Sequence, residues 1–482
     1  MNLFTPALRI GAFVMLLWGS AMLLPVLVSV PRWSEYDDFV FSALCCYVLA
    51  GLLFYWGRAP ISHLPPRSLF MITSFNWLLL CLTGTLPFYF SQDDISFVDS
   101  LYESVAGVTT TGSSIFSDVE SLPRGLLLWR SLSQWVGGIG IILMAVAVLP
   151  SLKVGGMRLF RSEFSEWAQL DGASIRKISS HIILVYILIS IACLGAYRYF
   201  GMDWFDAVNH TMSTVSTGGF STYNDSFGHF DNSHLMAVAS LFMFLGACPF
   251  ILVVLSVDNR SFLLWRDSQV QLMFKIVVIS TLLLTSWRYL QDEQRPLLDL
   301  LESSAFNLIS IMTTTGFASE DYGQWGSFAV ILIGFLMFSG GCSGSTSGGV
   351  KLFRYQLLAI FMREHLQKAL HPGLTWSRTY NGRPIQEDVL VSALAYLFLV
   401  MMSWFVSSCA LAAVGLDPVT AITGALGALM NVGPGLGEVI GPVGNFSTLP
   451  DLAKLILSFD MLLGRLEFLA LIILFTRAYW KW

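Results

Sequence analysis

The chain has 482 residues, of which 55% are hydrophobic and only 12% charged, about half the charge of an average globular domain. A soluble protein of this length needs a charged coat that this sequence does not supply, so the soluble globular class is excluded. The net charge of −5, with no basic run carrying interleaved aromatics, gives no footing for a nucleic-acid partner; the partner implied is a lipid bilayer.

In chain order, apolar blocks long enough to cross about 30 Å of hydrocarbon fall at 8–30, 38–56, 68–90, 125–150, 180–200, 235–257, 270–289, 328–361, 389–414 and 452–479. The first follows Arg9 and has the outline of a signal peptide. It is too long for an h-region, lacks a small-residue cleavage site, and is read as a retained helix. Between spans lie shorter segments such as 97–108 that cannot cross. Cys45, Cys46, Cys81, Cys193, Cys248, Cys342 and Cys409 lie mostly inside spans with no metal-ligand spacing, and read as small buried hydrophobes.

Lys and Arg collect on alternate loops: Arg58 and Arg67; Lys153, Arg158, Arg161, Arg176 and Lys177; Arg260, Arg266 and Lys275; Lys351, Arg354, Arg363, Lys368, Arg378 and Arg383. By the positive-inside rule these face the cytoplasm, with both termini. The opposite loops carry Glu35, Asp37, Asp38, Asp93, Asp94, Asp118, Glu120, Asp292, Glu293, Glu320 and Asp321. They either concentrate cations at a pore mouth or are ordinary solvated loop residues.

A repeat of roughly 100 to 120 residues emerges when the short outward segments are set side by side. The first is Gly107-Val-Thr-Thr-Thr-Gly112, the second Ser213-Thr-Val-Ser-Thr-Gly218, the third Ile311-Met-Thr-Thr-Thr-Gly316, the fourth Leu429-Met-Asn-Val-Gly433. Nine residues before these glycines stand Glu103, Asn209, Asn307 and Gly424. The expected fold is an all-α membrane protein of four pseudo-symmetric helix–pore-loop–helix repeats around one central pore. The expected divisions are an extra helix pair at 1–66, then repeats at 67–178, 179–268, 269–386 and 387–482. Non-helical backbone survives at membrane depth only where protein or water satisfies its polar groups. Four Gly-containing strands around one axis aim carbonyls inward and form an oxygen cage that replaces the hydration shell of an ion such as potassium. Small residues at tight helix contacts explain one or two of the motifs, not the set.

With Trp129-Arg130-Ser-Leu-Ser-Gln-Trp135-Val-Gly-Gly-Ile-Gly140, Gly155-Gly-Met-Arg-Leu-Phe160, Gly340-Gly-Cys-Ser-Gly-Ser-Thr-Ser-Gly-Gly349-Val-Lys351 and Leu463-Gly-Arg465-Leu-Glu467, the chain resembles the Trk/Ktr/HKT superfamily of potassium transporters, most closely the TrkH type, over nearly its whole length. The resemblance implies potassium uptake across a bacterial inner membrane, with no enzymatic activity and no organic cofactor. It implies that K⁺ is bound in a filter of Thr110, Thr111 and Gly112; Ser216, Thr217 and Gly218; Thr314, Thr315 and Gly316; and Asn431, Val432 and Gly433. It also implies a homodimer, and a cytoplasmic ring of TrkA-type nucleotide-binding subunits docked on the basic loops near Arg158 to Lys177, Arg260 to Lys275 and Arg354 to Arg383. In plant relatives serine at the first filter glycine accompanies sodium transport; Gly112 is intact here.

The run Gly340, Gly341, Cys342, Ser343, Gly344, Ser345, Thr346, Ser347, Gly348, Gly349 interrupts an apolar span, where each interior glycine costs up to about 1 kcal/mol relative to alanine. The resemblance makes it the gating loop. It lacks the Gly-Lys-Ser/Thr ending of a phosphate-binding loop. Arg465, a cation inside a span, corresponds to the family's barrier beneath the filter, or it pairs with Glu467. Glu103 either braces backbone behind the filter or attracts ions. Where the family has an Asn-Phe pair after Gly246, this chain has Cys248-Pro249-Phe250, and the proline is expected to kink the span. The sequons at Asn224 and Asn445 read as accidental. An alternating-access symporter would show two matching halves and ionisable residues at its site. A membrane enzyme would show a catalytic constellation, and the seven scattered histidines form none.

Overall fold

The computed structural model describes residues 4–28, 36–58, 66–92, 95–147, 175–258, 262–292, 294–373 and 377–481. Glu35, Asp93, Asp94, Lys153, Arg158, Arg161, Arg260 and Glu293, and the motif at 155–160, lie outside the described residues.

The fold is almost wholly helical. Helices α1 (Phe4–Ala21), α2 (Leu24–Val28) and α3 (Tyr36–Trp56) come first. Gly19 lets α1 close on the backbone of α3 at Ala43, and Trp18 lies 4.7 Å from the buried Trp129 ring, anchoring the leading helices to the first repeat. The chain then runs four times through a span, a short helix and a return. The first pass is α4 (Pro66–Ser91), α5 (Phe97–Val108) and α6 (Arg124–Ala147). The second is α7 (Ile175–Tyr199), α8 (Trp204–Val215), α9 (Ser233–Gly246) and α10 (Phe250–Asp258). After α11 (Leu263–Arg266), the third is α12 (Ser268–Gln291), α13 (Leu297–Met312), α14 (Ser327–Ser339) and α15 (Leu352–Leu370). A hairpin of β1 (Thr379–Tyr380) and β2 (Arg383–Pro384) leads to the fourth: α16 (Glu387–Ala413), α17 (Pro418–Leu429), α18 (Asp451–Arg465), α19 (Leu469–Ile472) and α20 (Arg477–Trp480).

Three short helices start on side-chain caps: Ser96 accepts from Asp99 N, Asp203 from Phe205 N, and Asp417 from Val419 N and Thr420 N. Each cap satisfies amide groups that a helix start leaves unpaired. Outward faces are apolar: Leu17, Leu27, Phe335 and Phe398 are among many large exposed hydrophobics, as a lipid-facing surface requires.

Seven described helices are long and apolar enough to cross a membrane unaided, and α9 with α10 makes an eighth, bent by 100°. Of the ten expected spans, three are not continuous: 235–257 is the bent pair. The block 328–361 breaks between Ser339 and Leu352, where the Gly/Ser run cannot hold helix. The block 452–479 breaks after Arg465, where Glu467 and Phe468 adopt φ of 58° and 53°. The expected kink at Pro249 is present: the ring removes a helical N–H donor, and α10 restarts with Phe250 N bonded to Gly344 O at 3.1 Å.

The hairpin turns on Asn381 and Gly382, both with positive φ, as a tight two-residue connection demands. It clamps α15: Tyr380 Oη donates to Gln356 at 2.8 Å, Arg378 pairs with Glu364, and Asn381 donates to Asp267, the N-cap of α12. Arg378 and Lys368 hold the Glu364 carboxyl down at about 2.

Candidate functional site

The four short helices point their C-termini at a common region, and each ends in the same way. Thr110, Thr217, Thr314 and Asn431 take left-handed φ between 51° and 57°. Their amides bond back to Gly107 O, Thr214 O, Ile311 O and Ala428 O. The next amides, of Thr111, Gly218, Thr315 and Val432, bond to Ala106 O, Ser213 O, Ser310 O and Gly427 O at 2.8 to 2.9 Å. The glycines that follow, Gly112, Gly219, Gly316 and Gly433, have φ from 82° to 100°.

Each of those glycines packs directly against the next unit. A Cβ placed on Gly112 would collide with Gly218 O, on Gly219 with Thr315 O, on Gly316 with Val432 O, and on Gly433 with Thr111 O, all well under 3.0 Å. The circuit is closed: first to second, second to third, third to fourth, fourth to first. Four stretches of chain separated by about a hundred residues therefore meet around one axis. No charged side chain belongs to the ring, and the helix C-termini behind it carry partial negative charge. Backbone oxygens so arranged suit a cation that has shed its water.

This geometry shifts the expected second segment by one residue. Likeness to the other triplets predicts Ser216, Thr217 and Gly218 in this register; the structure puts Thr217, Gly218 and Gly219 there. Ser216 instead caps α8, its hydroxyl on Met212 O at 2.7 Å. The brace behind the strand shifts too. Glu103 accepts from Ile115 N at 2.9 Å and Asn307 from Ser319 N at 3.1 Å. The second unit uses His210, bonded to Asp206 O and to the Ser221 hydroxyl, rather than Asn209. In the fourth, glycine at 424 offers nothing and Thr423 Oγ1 accepts from Leu436 N at 3.0 Å.

Glu103 is fully buried and paired with Arg130 at 2.7 Å, whose guanidinium also reaches Ser221 O and the Ser114 hydroxyl. That is the bracing role. Gln134, which nothing in the sequence marks as part of the site, donates to Gly218 O at 2.6 Å and accepts from Phe220 N at 3.1 Å.

Beneath the ring the 340–349 loop is fastened from several sides. Thr346 donates through its hydroxyl to Gly246 O at 2.9 Å and accepts from Thr217 Oγ1 at 3.2 Å. Gly348 N donates to Thr314 Oγ1 at 2.6 Å, and Gly349 N to Met430 O at 2.9 Å. Gly340, Gly341, Ser343, Gly344, Ser345 and Ser347 complete it; Gly341 N donates to Ser347 Oγ and Ser343 N to Gln269 Oε1. Arg465, 2% exposed, donates from Nη1 to Thr346 O at 2.8 Å. Its Nε and Nη2 have no hydrogen-bond partner among the described residues. Glu467 is taken by Arg354, which also lies 3.6 Å over the Tyr396 ring. Arg465 thus makes no ion pair with Glu467, and its one hydrogen bond is to the 340–349 loop.

Residues 39–481 match the model of the TrkH family, described as a cation transport protein. The chain belongs to the TrkH family. It is 39% identical over 480 residues to the Trk system potassium uptake protein TrkI of Halomonas elongata, covering 99% of this chain and 97% of the relative. It is 33% identical to the Trk system potassium uptake protein TrkH of Escherichia coli K12, covering 98% of each. The crystal structure of the potassium transporter TrkH from Vibrio parahaemolyticus superposes with a TM-score of 0.92 at 30% identity, covering both chains completely. The family accounts for the multi-span architecture and for cation transport rather than enzymatic chemistry.

Proposed function

We propose that the chain carries potassium ions into a bacterial cell across its inner membrane, through a filter built from the four Gly-containing segments. The observation that carries this is the closed circuit of glycines against carbonyls. The ion ligands are the backbone oxygens of Thr110 and Thr111, Thr217 and Gly218, Thr314 and Thr315, and Asn431 and Val432, with Gly112, Gly219, Gly316 and Gly433 giving the turns. The four units meet there with charge kept out, as a channel-like path needs and an alternating-access site does not. We divide the chain into a leading helix pair at 1–66 and four repeats at 67–178, 179–268, 269–386 and 387–482.

The 340–349 loop is the gate, and Arg465 is the electrostatic barrier below the filter. The basic loops near Arg158 to Lys177, Arg260 to Lys275 and Arg354 to Arg383 face the cytoplasm, together with both termini. TrkA-type nucleotide-binding subunits dock there, and the chain works as a homodimer. A membrane potential of 100 mV supplies about 2.3 kcal/mol per charge, about fiftyfold accumulation at equilibrium, so no ATP site in this chain is required.

The test is rubidium uptake into proteoliposomes holding the purified chain, with competition by potassium and by sodium. Potassium should compete and sodium should not, and Gly316→Ser should weaken that preference. Uptake that ignores both the competing ion and the substitution would falsify the filter assignment. Arg465→Ala should raise flux; unchanged flux in folded protein returns Arg465 to a structural role.

A further inference from the structure

Two successive carbonyls at the centre of the 340–349 loop, Thr346 O and Ser347 O, each accept from a buried cationic side chain. Arg465 holds the first; the ammonium of Lys351 holds the second. Lys351 is 6% exposed, and among the described residues it has no carboxylate within ion-pair distance. The neighbouring Arg354 is occupied with Glu467 and with Val350 O at 2.7 Å. A buried ammonium without a counter-ion is costly unless dipoles compensate it. Here the direct contact is the loop carbonyl of Ser347, with the Glu467 carboxylate acting from beyond ion-pair distance.

The position is otherwise a poor one for lysine. It is the N-cap of α15, where the helix dipole repels cations and Ser, Asp or Asn would satisfy the free amides. Its backbone stands at φ 73°, a conformation that penalises any side chain. A residue chosen to start a helix would be none of these things. A residue chosen to reach back four positions and grip the loop fits all of them.

Resting on the gate assignment above, we propose that Lys351 is a second latch of the closed loop. Its ammonium is a tethered cation seated on a carbonyl beneath the filter, and the loop leaves the path only when that bond is released. Arg465 reaches the loop from the fourth unit; Lys351 anchors it from its own C-terminal end, at the root of α15. Any movement of α15 would therefore pull directly on Ser347.

The experiment is rubidium uptake by the full chain in proteoliposomes, without added partner, comparing the parent with Lys351→Met, Lys351→Gln and Lys351→Arg. Elution profile and thermal melting verify the fold of each. Both neutral variants should raise flux about tenfold, the effect of losing one charge-assisted hydrogen bond. Preference for potassium over sodium should be kept, because the filter is untouched. Lys351→Arg should bring flux back toward the parent level. The latch is overturned if a folded neutral variant transports at or below the parent rate, or if Lys351→Arg rises as far as Lys351→Met. A helix-start role alone would lower melting without raising selective flux. If the parent and Arg465→Ala both show no potassium-sensitive uptake, the transport reading fails instead.

Discussion

At the level of Gly112, Gly219, Gly316 and Gly433 the four quarters of the pore are interchangeable in backbone angle and contact. One helix further along, they are all different. The return of the first unit, α6, is unbroken through Gly137 and Gly138. The second bends by 100° at Cys248-Pro249, the third dissolves into the 340–349 loop, and the fourth stops at Arg465. At the proposed filter symmetry is kept. At the proposed gate it is abandoned, and the three broken returns hold one another: Phe250 N on Gly344 O, Cys342 N on Ala247 O, Arg465 on Thr346 O.

The sharpest way to break this comparison is at the ring. Gly219→Ser puts a side chain where φ is 82° and the Thr315 carbonyl already sits. Potassium-competed rubidium uptake should fall by more than tenfold, since left-handed strain alone costs about 1–2 kcal/mol before any clash. Ser216→Ala, outside the ring, should change uptake far less. Equal losses at both positions would restore the register that likeness to the other triplets predicts.

Next in size is the brace. Glu103→Gln or Arg130→Met leaves one member of a buried ion pair unmatched, which costs about 3–5 kcal/mol. Asn307→Ala removes neutral bonds worth about 1–3 kcal/mol. Thermal melting in detergent should rank the first two well below the third. If all three melt alike, the four braces are as equivalent as the ring, and the contrast between levels weakens.

A smaller effect tests the lower level. Cys248 and Cys342 share one small buried cluster, and Cys342 N donates to Ala247 O at 2.9 Å, which keeps the two Cα atoms within about 7 Å. Disulfides span about 4.4–6.8 Å. Mild oxidation should therefore join them and reduce flux, with recovery on adding a reductant and no effect in Cys248→Ser. Smallest is the hairpin clamp. Glu364 is depressed to about 2 by Arg378 and Lys368, so its contribution is present above an unfolded carboxyl's ordinary value near 4.3 and is lost as pH falls toward 2. Glu364→Gln should lower melting by a few degrees at pH 7 and by less at pH 3.

Spans, repeats, the Gly/Ser interruption and the Pro249 kink were legible because each leaves a compositional mark: apolar length, recurring Thr-Gly, a run that cannot be helical, a missing N–H. The register of the second segment was not. Gly218 and Gly219 are adjacent, and matching Ser-Thr-Gly to Thr-Thr-Gly by likeness favours the wrong one. Counting from the helix caps finds the right one, because Ser96 to Gly112, Asp203 to Gly219 and Asp417 to Gly433 are equal distances. His210 was missed for the same reason. Lys351 read as one more cytoplasm-facing loop cation, but the structure buries it: its proposed role depends on a carbonyl four residues back that only the folded loop brings round.

The last contact of the ring joins Gly433 to Thr111, and beside it Asn431 donates to the Thr111 hydroxyl at 3.0 Å, Phe446 N to Ser114 O at 2.8 Å, and Lys454 to Asp99. Those partners are made more than 300 residues apart on the ribosome. Until Gly433 is made, the ring lacks the segment that packs against Thr111. The ring can close only after the fourth unit has been made, because its last contact needs Gly433 against Thr111.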